Sequence, residues 1–509
     1  MIAAADIRRI CMLDLISVNG MRESDKYTTE HGVSGRELMK RAGNAIFEAA
    51  AWVPPVAVVC GKGNNAGDGF VLAALLRRNG ITCTIVLRER VFSGDGAFYY
   101  SECEAMRIPT VMWRDTETLR GYGSVADCIF GTGFRGEPDE ESKRMIRMIN
   151  ESGAYTVSAD INSGLNGDNG LADCAVRSDL TVSVGCLKTG HFLNMAKDMI
   201  REVRNADIGI RPVGITYGLA EAKDLKALFA KRPEFCNKGT WGTAVLIGGS
   251  VRFSGAVRLT NMAACAARCG SGVIRIGAPD CICNAVMPRI LESTLFPLGS
   301  ADGGILFSAE EFSGLILGAR SAAFGMGIGN TAETAKALLW LLDHFSGTLV
   351  IDADGLNALH AIPDGCLRDR RFPTILTPHP GEFSRMTGLT VREILEDPIR
   401  TAEQYARKNS VILLLKGTAS IVTDGERTVI TDRGCAGMAT AGSGDVLSGM
   451  IASLSSWMKD PLEAAMAAAW LNGRAGEIAQ ERYGDIAMIA GDTASCIPDA
   501  LAEVRLAEN

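Results

Sequence analysis

The sequence lacks any concentrated run of lysine and arginine, and its formal net charge is −7. Nucleic-acid-binding proteins normally present a basic face, so the charge disfavours that class and predicts no nucleic-acid partner. No apolar run approaches the roughly 20 residues that a membrane-spanning helix needs. Charged residues interrupt residues 1–15, which excludes the apolar core of a signal peptide. We therefore expect a cytoplasmic protein that does not bind membranes.

Paired metal-ligand motifs and the commonest nucleotide motif are also missing. The 15 cysteines do not form the paired Cys-x-x-Cys spacing of a zinc site, and we expect most of them to be reduced and buried. No Gly-Lys-Ser or Gly-Lys-Thr sequence is present, which disfavours a P-loop NTPase. With these classes disfavoured, the sequence favours a protein that acts on small molecules.

The length of 509 residues exceeds what one hydrophobic core usually supports, so we expect two domains. Short β-branched runs alternate with helix-length segments, which predicts an α/β fold with parallel sheets in both. A segment rich in charge separates the halves, and we place the domains at 1–224 and 225–509. Strands are predicted at 56–60, 82–87, 126–130, 155–159, 180–184, 243–247, 273–276, 349–351, 374–376 and 411–415, helices at 70–79 and 256–268, and a hairpin at 419–431.

Three loops of the first half, at residues 61–69, 127–136 and 158–164, carry glycines together with polar side chains. Residues 61–69 follow a predicted strand and precede a helix, an arrangement in which the backbone and the helix N-terminus can approach a phosphate. The alternative is a tight turn without a ligand. Loops at the ends of parallel strands meet at one edge of the sheet, so Asn65, Asp127 and Ser163 could present oxygens to one hard cation.

Residues 16–218, including 21–25, 38–43 and these three loops, resemble the NAD(P)HX epimerase family. The resemblance implies a Rossmann-like three-layer fold, interconversion of the R and S epimers of hydrated NADH and NADPH, and a bound potassium ion. Asn65, Asp127 and Ser163 match its potassium ligands. The implied substrate contacts are Asn64, Asn65, Ala66, Gly67, Asp68, Gly131, Thr132, Gly133, Phe134, Arg135, Gly136, Glu137 and Asp160.

Asp160 is our candidate catalytic group in this half. Epimerisation at the hydrated ring carbon requires moving a proton while a bond breaks and re-forms, and a positioned carboxylate can do this. The alternative is an aspartate that caps a turn. Ala66 stands where the family usually has Gly, and Asn162 where it usually has Pro. Ala66 would matter if its position needed a positive φ.

A Gly-rich turn in the second half ends in Gly442-Ser443-Gly444-Asp445 and precedes an apolar helix. Successive backbone N–H groups in such a turn form a concavity for an oxyanion, reinforced by the helix dipole. An aspartate directly behind it can take the proton of a substrate hydroxyl. Asp445 fits that catalytic role, and the alternative is a helix N-cap.

Residues 236–502 resemble the ADP/ATP-dependent NAD(P)HX dehydratase family, through this turn and the strand-end motifs at 237–242, 247–250, 325–329, 351–354, 377–382 and 415–417. The resemblance implies a ribokinase-like three-layer fold and ADP or ATP with Mg²⁺. The implied contacts to the S epimer are Ala256, Gly327, His379 and Asp445. The implied nucleotide contacts are Lys416, Gly417, Thr418, Ala419, Ser420 and Gly444. Gly355 replaces the usual Ala, and Ala441 the usual Gly.

The two halves together predict a bifunctional enzyme, an isomerase fused to a hydro-lyase, which repairs hydrated NADH or NADPH using ADP or ATP. Hydroxide is a poor leaving group, so phosphorylation of the ring hydroxyl would explain a kinase-like site in a lyase. We expect a homo-oligomer. The alternatives are a small-molecule kinase of the ribokinase class and a binding or scaffold protein that holds a nucleotide without turning it over.

Overall fold

The computed structural model describes residues 12–92, 94–264 and 269–507. The chain divides into two compact units, Asp14–Tyr217 and a unit built from Gly218 onward, called here the N-terminal and C-terminal units. Within the described residues, every helix is too short or too polar to cross a membrane. The last part of the predicted helix 256–268 lies outside the described residues.

The N-terminal unit alternates strands with helices. Its strands are β1 Leu13–Ile16, β2 Val56–Cys60, β3 Cys83–Leu87, β4 Thr110–Met112, β5 Ser124–Cys128, β6 Tyr155–Ala159, β7 Leu180–Val184, β8 Leu187–Lys188 and β9 Val203–Ala206. Its helices are α1 Val18–Glu30, α2 Gly35–Ala49, α3 Asn64–Arg78, α4 Gly94–Ala105, α5 Glu140–Asn150 and α6 Ala196–Met199. Seven strands form a parallel sheet in the order β4-β3-β2-β5-β6-β7-β9, and β1 pairs with β8.

Both faces of the seven-stranded sheet are buried, because alternate residues of β2 belong to different cores. Val56 and Val58 pack in one cluster with residues of α2 and α3. Ala57 and Val59 pack in another with residues of α5. The sheet is therefore the middle layer of three, as the sequence predicts.

The strand order of this sheet reverses between β2 and β5, which leaves a crevice at their carboxyl ends. The loops that the sequence singles out emerge there. Helix α3 begins at Asn64, earlier than the predicted start at residue 70. Gly67 and Gly69 lie inside α3, where the absence of a side chain allows close packing. A Cβ on Gly67 would lie 2.4 Å from the sulfur of Met39.

The C-terminal unit has the same alternation. Its strands are β10 Thr216–Leu219, β11 Thr243–Ile247, β12 Val273–Pro279, β13 Thr294–Leu298, β14 Ser300–Ala301, β15 Gly304–Ile305, β16 Ser321–Phe324, β17 Thr348–Ile351, β18 Thr374–Leu376, β19 Ile412–Leu415, β20 Ser420–Thr423 and β21 Thr428–Thr431. Its helices are α7 Ala222–Lys226, α8 Ser254–Ala264, α9 Asp280–Val286, α10 Ala309–Ile316, α11 Ala332–His344, α12 Asp354–Ala358, α13 Cys366–Asp369, α14 Pro380–Thr387, α15 Val391–Glu396, α16 Pro398–Asn409, α17 Ser443–Ser455, α18 Pro461–Tyr483 and α19 Ala490–Leu506.

The main sheet of this unit runs β13-β12-β11-β16-β17-β18-β19-β20-β21-β10. Its pairs are parallel except β19 with β20 and β20 with β21, the predicted hairpin. Ile276 packs on one face with residues of α17 and α18, whereas a Cβ on Gly277 would touch Leu315 of α10 on the other. The order reverses between β11 and β16, so a crevice opens where the glycine-rich segments after these strands lie.

The predicted strands 56–60, 155–159, 180–184, 243–247 and 374–376 coincide with strands of the structure, and the predicted α/β class is confirmed. The sequence does not predict β9 or β16. Strand β9 reads Val-Arg-Asn-Ala, is partly exposed and lies at the sheet edge, so it carries no apolar pattern.

Candidate active sites

A cavity of about 660 Å³ opens at the crevice of the N-terminal unit. It is lined by residues of the three predicted loops and also of α1 and α2. The predicted contact residues that line it are Asn64, Asn65, Asp68, Gly131, Thr132, Gly133, Phe134, Arg135 and Asp160. Ala66, Gly67, Gly136 and Glu137 are not among its lining residues, since Ala66 and Gly67 face the packed side of α3.

Asn65, Asp127 and Ser163 are brought together around the backbone of Phe130. Asn65 Nδ2 donates to the Phe130 carbonyl at 2.8 Å, and Ser163 Oγ accepts from the Phe130 N–H at 2.9 Å. Asp127 is fully buried and accepts the Ser163 N–H at 2.9 Å and a hydrogen bond from Ser158 Oγ at 2.9 Å. Burial raises the pKa of Asp127, and these hydrogen bonds oppose the rise.

The Asn65 side chain leaves one oxygen unsatisfied. Its Oδ1 is buried and has no hydrogen-bond partner among the described residues. A buried amide oxygen without a partner costs free energy, so a bound cation or donor would stabilise it. The donor set of amide, carboxylate and hydroxyl oxygens fits a hard cation.

Asp160 is held in a left-handed backbone conformation at the end of β6, with φ of 66°. His191 Nε2 donates to its carbonyl at 2.9 Å. Its side chain accepts the Thr132 N–H at 3.1 Å and forms an ion pair with Lys188. A strained aspartate with so many partners is a positioned group, and the turn-capping alternative does not account for its ion pair.

Lys188 is the residue of this site that sequence reasoning misses. Its side chain is completely buried, and Nζ donates to Asp160, to Ser183 Oγ at 3.2 Å and to the Val184 carbonyl at 3.0 Å. Burial alone would raise the pKa of Asp160, but the Lys188 ammonium outweighs it and holds that pKa below its ordinary value. The signal in the sequence is a lysine inside the apolar run that follows β7.

His191 fixes the backbone around this ion pair. Its Nδ1 accepts the Lys188 N–H at 3.1 Å, so its Nε2 carries the hydrogen that binds the Asp160 carbonyl. Burial and the neighbouring ammonium lower the pKa of His191 to about 4. The ring is therefore neutral at physiological pH.

Neither departure from the epimerase pattern disturbs the site. Ala66 lies in the first turn of α3 and is not among the residues with positive φ, so its Cβ causes no backbone strain. The Asn162 side chain is buried and donates to the Val176 carbonyl at 2.8 Å and the Met199 carbonyl at 2.9 Å. Its amide thus anchors the loop that carries Ser163.

In the C-terminal unit, Asp445 lies in the first turn of α17, whose N-cap is Gly442 with φ of 96°. No side chain caps this helix, which contradicts the N-cap alternative for Asp445. The Asp445 side chain is half-buried and forms no hydrogen bond with a described residue. The Ser443 N–H donates to the Thr440 carbonyl at 3.5 Å, whereas the other N–H groups of the first turn and this carboxyl are available to a ligand.

A charged cluster surrounds Asp445. Lys416 Nζ lies 3.1 Å from Asp352 Oδ1 and 3.7 Å from Glu382 Oε2. Ser448 Oγ donates to Asp352 Oδ2 at 2.7 Å. Burial and the charge of Asp352 raise the pKa of Asp445 to about 7, against the opposing effect of Lys416. Burial lowers the pKa of Lys416, but the two carboxylates raise it above its ordinary value.

Gly444 and His379 are the predicted residues that lie next to members of this cluster. A Cβ on Gly444 would lie 3.4 Å from Lys416 Nζ, so the turn and the lysine are adjacent. His379 caps α14 through Nδ1, which accepts the Gly381 N–H at 3.0 Å. Its exposed Nε2 lies 3.6 Å from Glu382 Oε2. In the predicted nucleotide-binding loop, Gly417 and Thr418 are exposed, Lys416 and Ser420 are partly buried and Ala419 is buried. Asp352 and Glu382 lie in the strand-end motifs 351–354 and 377–382, but the sequence predicts no role for either residue.

Gly327 and Ala256 form a separate, closely packed contact. Gly327 has φ of 63°, and a Cβ on it would lie 2.8 Å from the Cβ of Ala256 and 2.7 Å from that of Phe253. The family departures are compatible with the fold: a Cβ on Gly355 would lie 2.8 Å from the Phe324 carbonyl, and Ala441 is not among the residues with positive φ.

We expect Gly327→Ala to destabilise the C-terminal unit more than Gly329→Ala. Both glycines have positive φ, but a Cβ on Gly329 meets nothing closer than Thr331 at 3.9 Å. Both variants therefore introduce backbone strain. The collisions at Gly327 should lower the free energy of unfolding by a further 1–3 kcal/mol or so. The two variants would be compared by urea unfolding. Equal losses would show that the loop moves to accommodate the methyl group.

The fold and the two sites define the class of protein, a two-unit α/β enzyme that acts on nucleotides. Residues 35–190 match a family model described as YjeF-related protein N-terminus, and residues 244–499 match one described as NAD(P)H-hydrate dehydratase. A relative from Coxiella burnetii, a bifunctional NAD(P)H-hydrate repair enzyme, is 32% identical over 93% of this chain and 96% of its own. The relative of the same description from Escherichia coli is 30% identical over 92% of this chain and 89% of its own.

The chain belongs to the family of bifunctional NAD(P)H-hydrate repair enzymes, as the sequence predicts. Among solved structures, a hypothetical protein from Streptococcus mutans has a TM-score of 0.50 at 22% identity, covering 56% of this chain and 99% of its own. An ADP/ATP-dependent NAD(P)H-hydrate dehydratase from Bacillus subtilis, co-crystallised with ATP and Mg²⁺, has a TM-score of 0.48 at 26% identity, covering 56% and 98%. The former supports the fold of the C-terminal unit.

Proposed function

We propose that the N-terminal unit interconverts the epimers of hydrated NADH and NADPH and that the C-terminal unit dehydrates the S epimer with ADP or ATP. The observation that carries the proposal is Asp445: an unpaired, half-buried carboxyl group in the first turn of α17, beside Lys416. Its pKa of about 7 suits a group that gains and loses a proton at physiological pH.

In the C-terminal unit, Asp445 takes the proton of the ring hydroxyl while that oxygen attacks the terminal phosphorus of the nucleotide. The N–H groups at the start of α17 and the Lys416 ammonium stabilise the charge on the transferred phosphoryl group. The carbon–oxygen bond then breaks as the ring nitrogen donates its electron pair, and phosphate leaves with the C–O electron pair. The adjacent ring carbon loses a proton to water, and its C–H electron pair forms the ring double bond of NADH or NADPH. The carboxylates of Asp352 and Glu382 would hold Mg²⁺, which neutralises phosphate charge when bound.

In the N-terminal unit, Asp160 acts on the hydrated ring as the base, ionised because Lys188 pairs with it. The unpaired oxygen of Asn65, with Asp127 and Ser163, would hold K⁺. When bound, such an ion supplies fixed positive charge beside the loop from Gly131 to Arg135.

The function is tested by the absorbance of NADH in mixtures of purified protein with one epimer of the hydrate. The S epimer should regain absorbance only with ADP or ATP, and the R epimer should do so more slowly because it must first epimerise. A phosphorylated product that persists without recovery of NADH would support the small-molecule kinase. Nucleotide affinity without turnover of either epimer would support the binding protein.

We expect K⁺ to stabilise the N-terminal unit through Asn65. At equal ionic strength, KCl should raise its melting temperature by a few degrees relative to NaCl, because a ligand that binds only the folded state stabilises it. In Asn65→Leu this difference should disappear, whereas a control variant, Asn79→Leu at the exposed C-cap of the same helix, should retain it. Equal melting temperatures of the wild type in both salts would argue against the ion.

A further inference from the structure

The cavity of the N-terminal unit contains more acidic groups than the proposed mechanism uses. Asp25 from α1, Asp68 from α3 and Asp160 from the end of β6 all line it. Asp160 has several partners, including Lys188 and the Thr132 N–H. The side chains of Asp25 and Asp68, by contrast, form no hydrogen bond or ion pair within the described part of the chain.

The completely buried Lys188 ammonium is held by Asp160, and it influences all three acids. Burial and repulsion from Asp160 raise the pKa of Asp25 to about 6, although Lys188 opposes the rise. Burial raises the pKa of Asp68 well above its ordinary value. The cavity therefore contains one carboxyl group with a lowered pKa and two with raised pKa values, and such a separation of pKa values identifies an acid and a base.

We infer that Asp25 is a second catalytic residue of this site, the proton donor that acts with the base Asp160. The inference rests on the proposed epimerase function of the N-terminal unit. Asp25 combines the two requirements of a donor: it lines the cavity, and no described residue occupies its carboxyl group.

The hydrated ring carbon carries a hydroxyl group and is bonded to the ring nitrogen. Asp160 accepts the hydroxyl proton, and the O–H electron pair forms the second bond of a carbonyl group. The carbon–nitrogen bond breaks, its electron pair moves to nitrogen, and nitrogen takes the proton of Asp25. Ring closure on the opposite face of the carbonyl reverses each transfer, which returns both protons and gives the other epimer.

Asp25 suits this role better than Asp68. A catalytic acid is most effective when its pKa lies near the working pH, so that it is protonated and can also release its proton. Burial raises the pKa of Asp68 well above its ordinary value, so Asp68 does not release its proton readily near the working pH. The ionisable groups that face Asp25 are Asp160, Lys188, Asp68 and Cys186.

The test uses the full chain and the pure R epimer without adenine nucleotide, with R-to-S conversion followed by chromatography. In the wild type, kcat should fall as the pH rises through about 6, because Asp25 loses its proton. Asp25→Asn should lower kcat about 100-fold, with KM little changed, and should remove this pH dependence. Asp25→Glu, which retains a carboxyl group, should recover part of the rate and restore a pH dependence.

Glu23→Gln is the matched control, since Glu23 is exposed on the same helix and does not line the cavity. It should leave the rate and its pH dependence unchanged. Thermal unfolding of each variant reports whether the N-terminal unit, which carries the substitution, is folded. If Asp25→Asn slows the reaction but keeps the wild-type pH dependence, Asp25 is structural and the inference is wrong. If the wild type does not interconvert the epimers at all, the proposed function itself fails.

Discussion

Asp445→Asn should reduce nucleotide-dependent recovery of NADH from the S epimer by a factor of about 100 to 10,000, the usual contribution of a general base. Asparagine keeps the size of the side chain but cannot accept the hydroxyl proton. Interconversion of the R and S epimers should be unchanged, because that reaction takes place in the other unit. The two reactions would be measured on the same preparation, by absorbance and by chromatography.

The stability of this variant separates a lost base from a lost fold. The folded-state pKa of Asp445 is raised to about 7, so ionisation of this group destabilises the folded state as the pH rises towards that value. Asp445→Asn should therefore be at least as stable as the wild type at pH 8 or so. Glu310→Gln, a change in the first turn of α10, should leave both activities intact. Dehydration at the wild-type rate by Asp445→Asn would remove Asp445 from the mechanism.

The sequence predicts the central strands and the glycine-rich loops because local patterns determine them. Strand β2 is an apolar run whose bounds agree with the prediction, and the loops follow the ends of β2 and β5 as parallel topology requires. The position of Asp445 at the start of an apolar helix also follows from local sequence. Local sequence does not decide whether Asp445 caps the helix or faces a ligand, since the same residues are compatible with both roles.

The features that the sequence does not predict depend on contacts between distant residues. Lys188 pairs with Asp160 across 28 positions of the chain, and no spacing rule connects them. The early start of α3 has a similar cause, because Gly67 and Gly69 resemble turn residues until the side chains packed against them are known. A functional role for Asp25 likewise becomes apparent only from the structure, in which residues of α1 line the cavity.

Lys188→Met should destabilise the N-terminal unit by about 3–5 kcal/mol, the usual result of removing one partner of a buried ion pair. Methionine fills a similar volume but leaves the Asp160 carboxylate without its cation. For a unit of this size, that loss corresponds to a decrease of very roughly 10 °C in melting temperature, measurable by calorimetry. In Lys188→Met with Asp160→Asn, much of the loss should be recovered because no buried charge remains. If the double variant is as unstable as the single one, the ion pair is not what holds this region together.

The pH dependence of the Lys188→Met effect has a definite sign. In the wild type the folded-state pKa of Asp160 is lowered, so the ion pair stabilises the fold above the ordinary aspartate pKa, and this contribution is lost as the pH falls through the lowered value. Without Lys188, burial raises the same pKa, so the carboxylate destabilises the fold at neutral pH and becomes harmless once protonated. The difference in stability between wild type and variant should therefore be largest near neutrality and should narrow towards about pH 4. A difference that stays constant with pH would mean that packing of the lysine stem, and not its charge, makes Lys188 important.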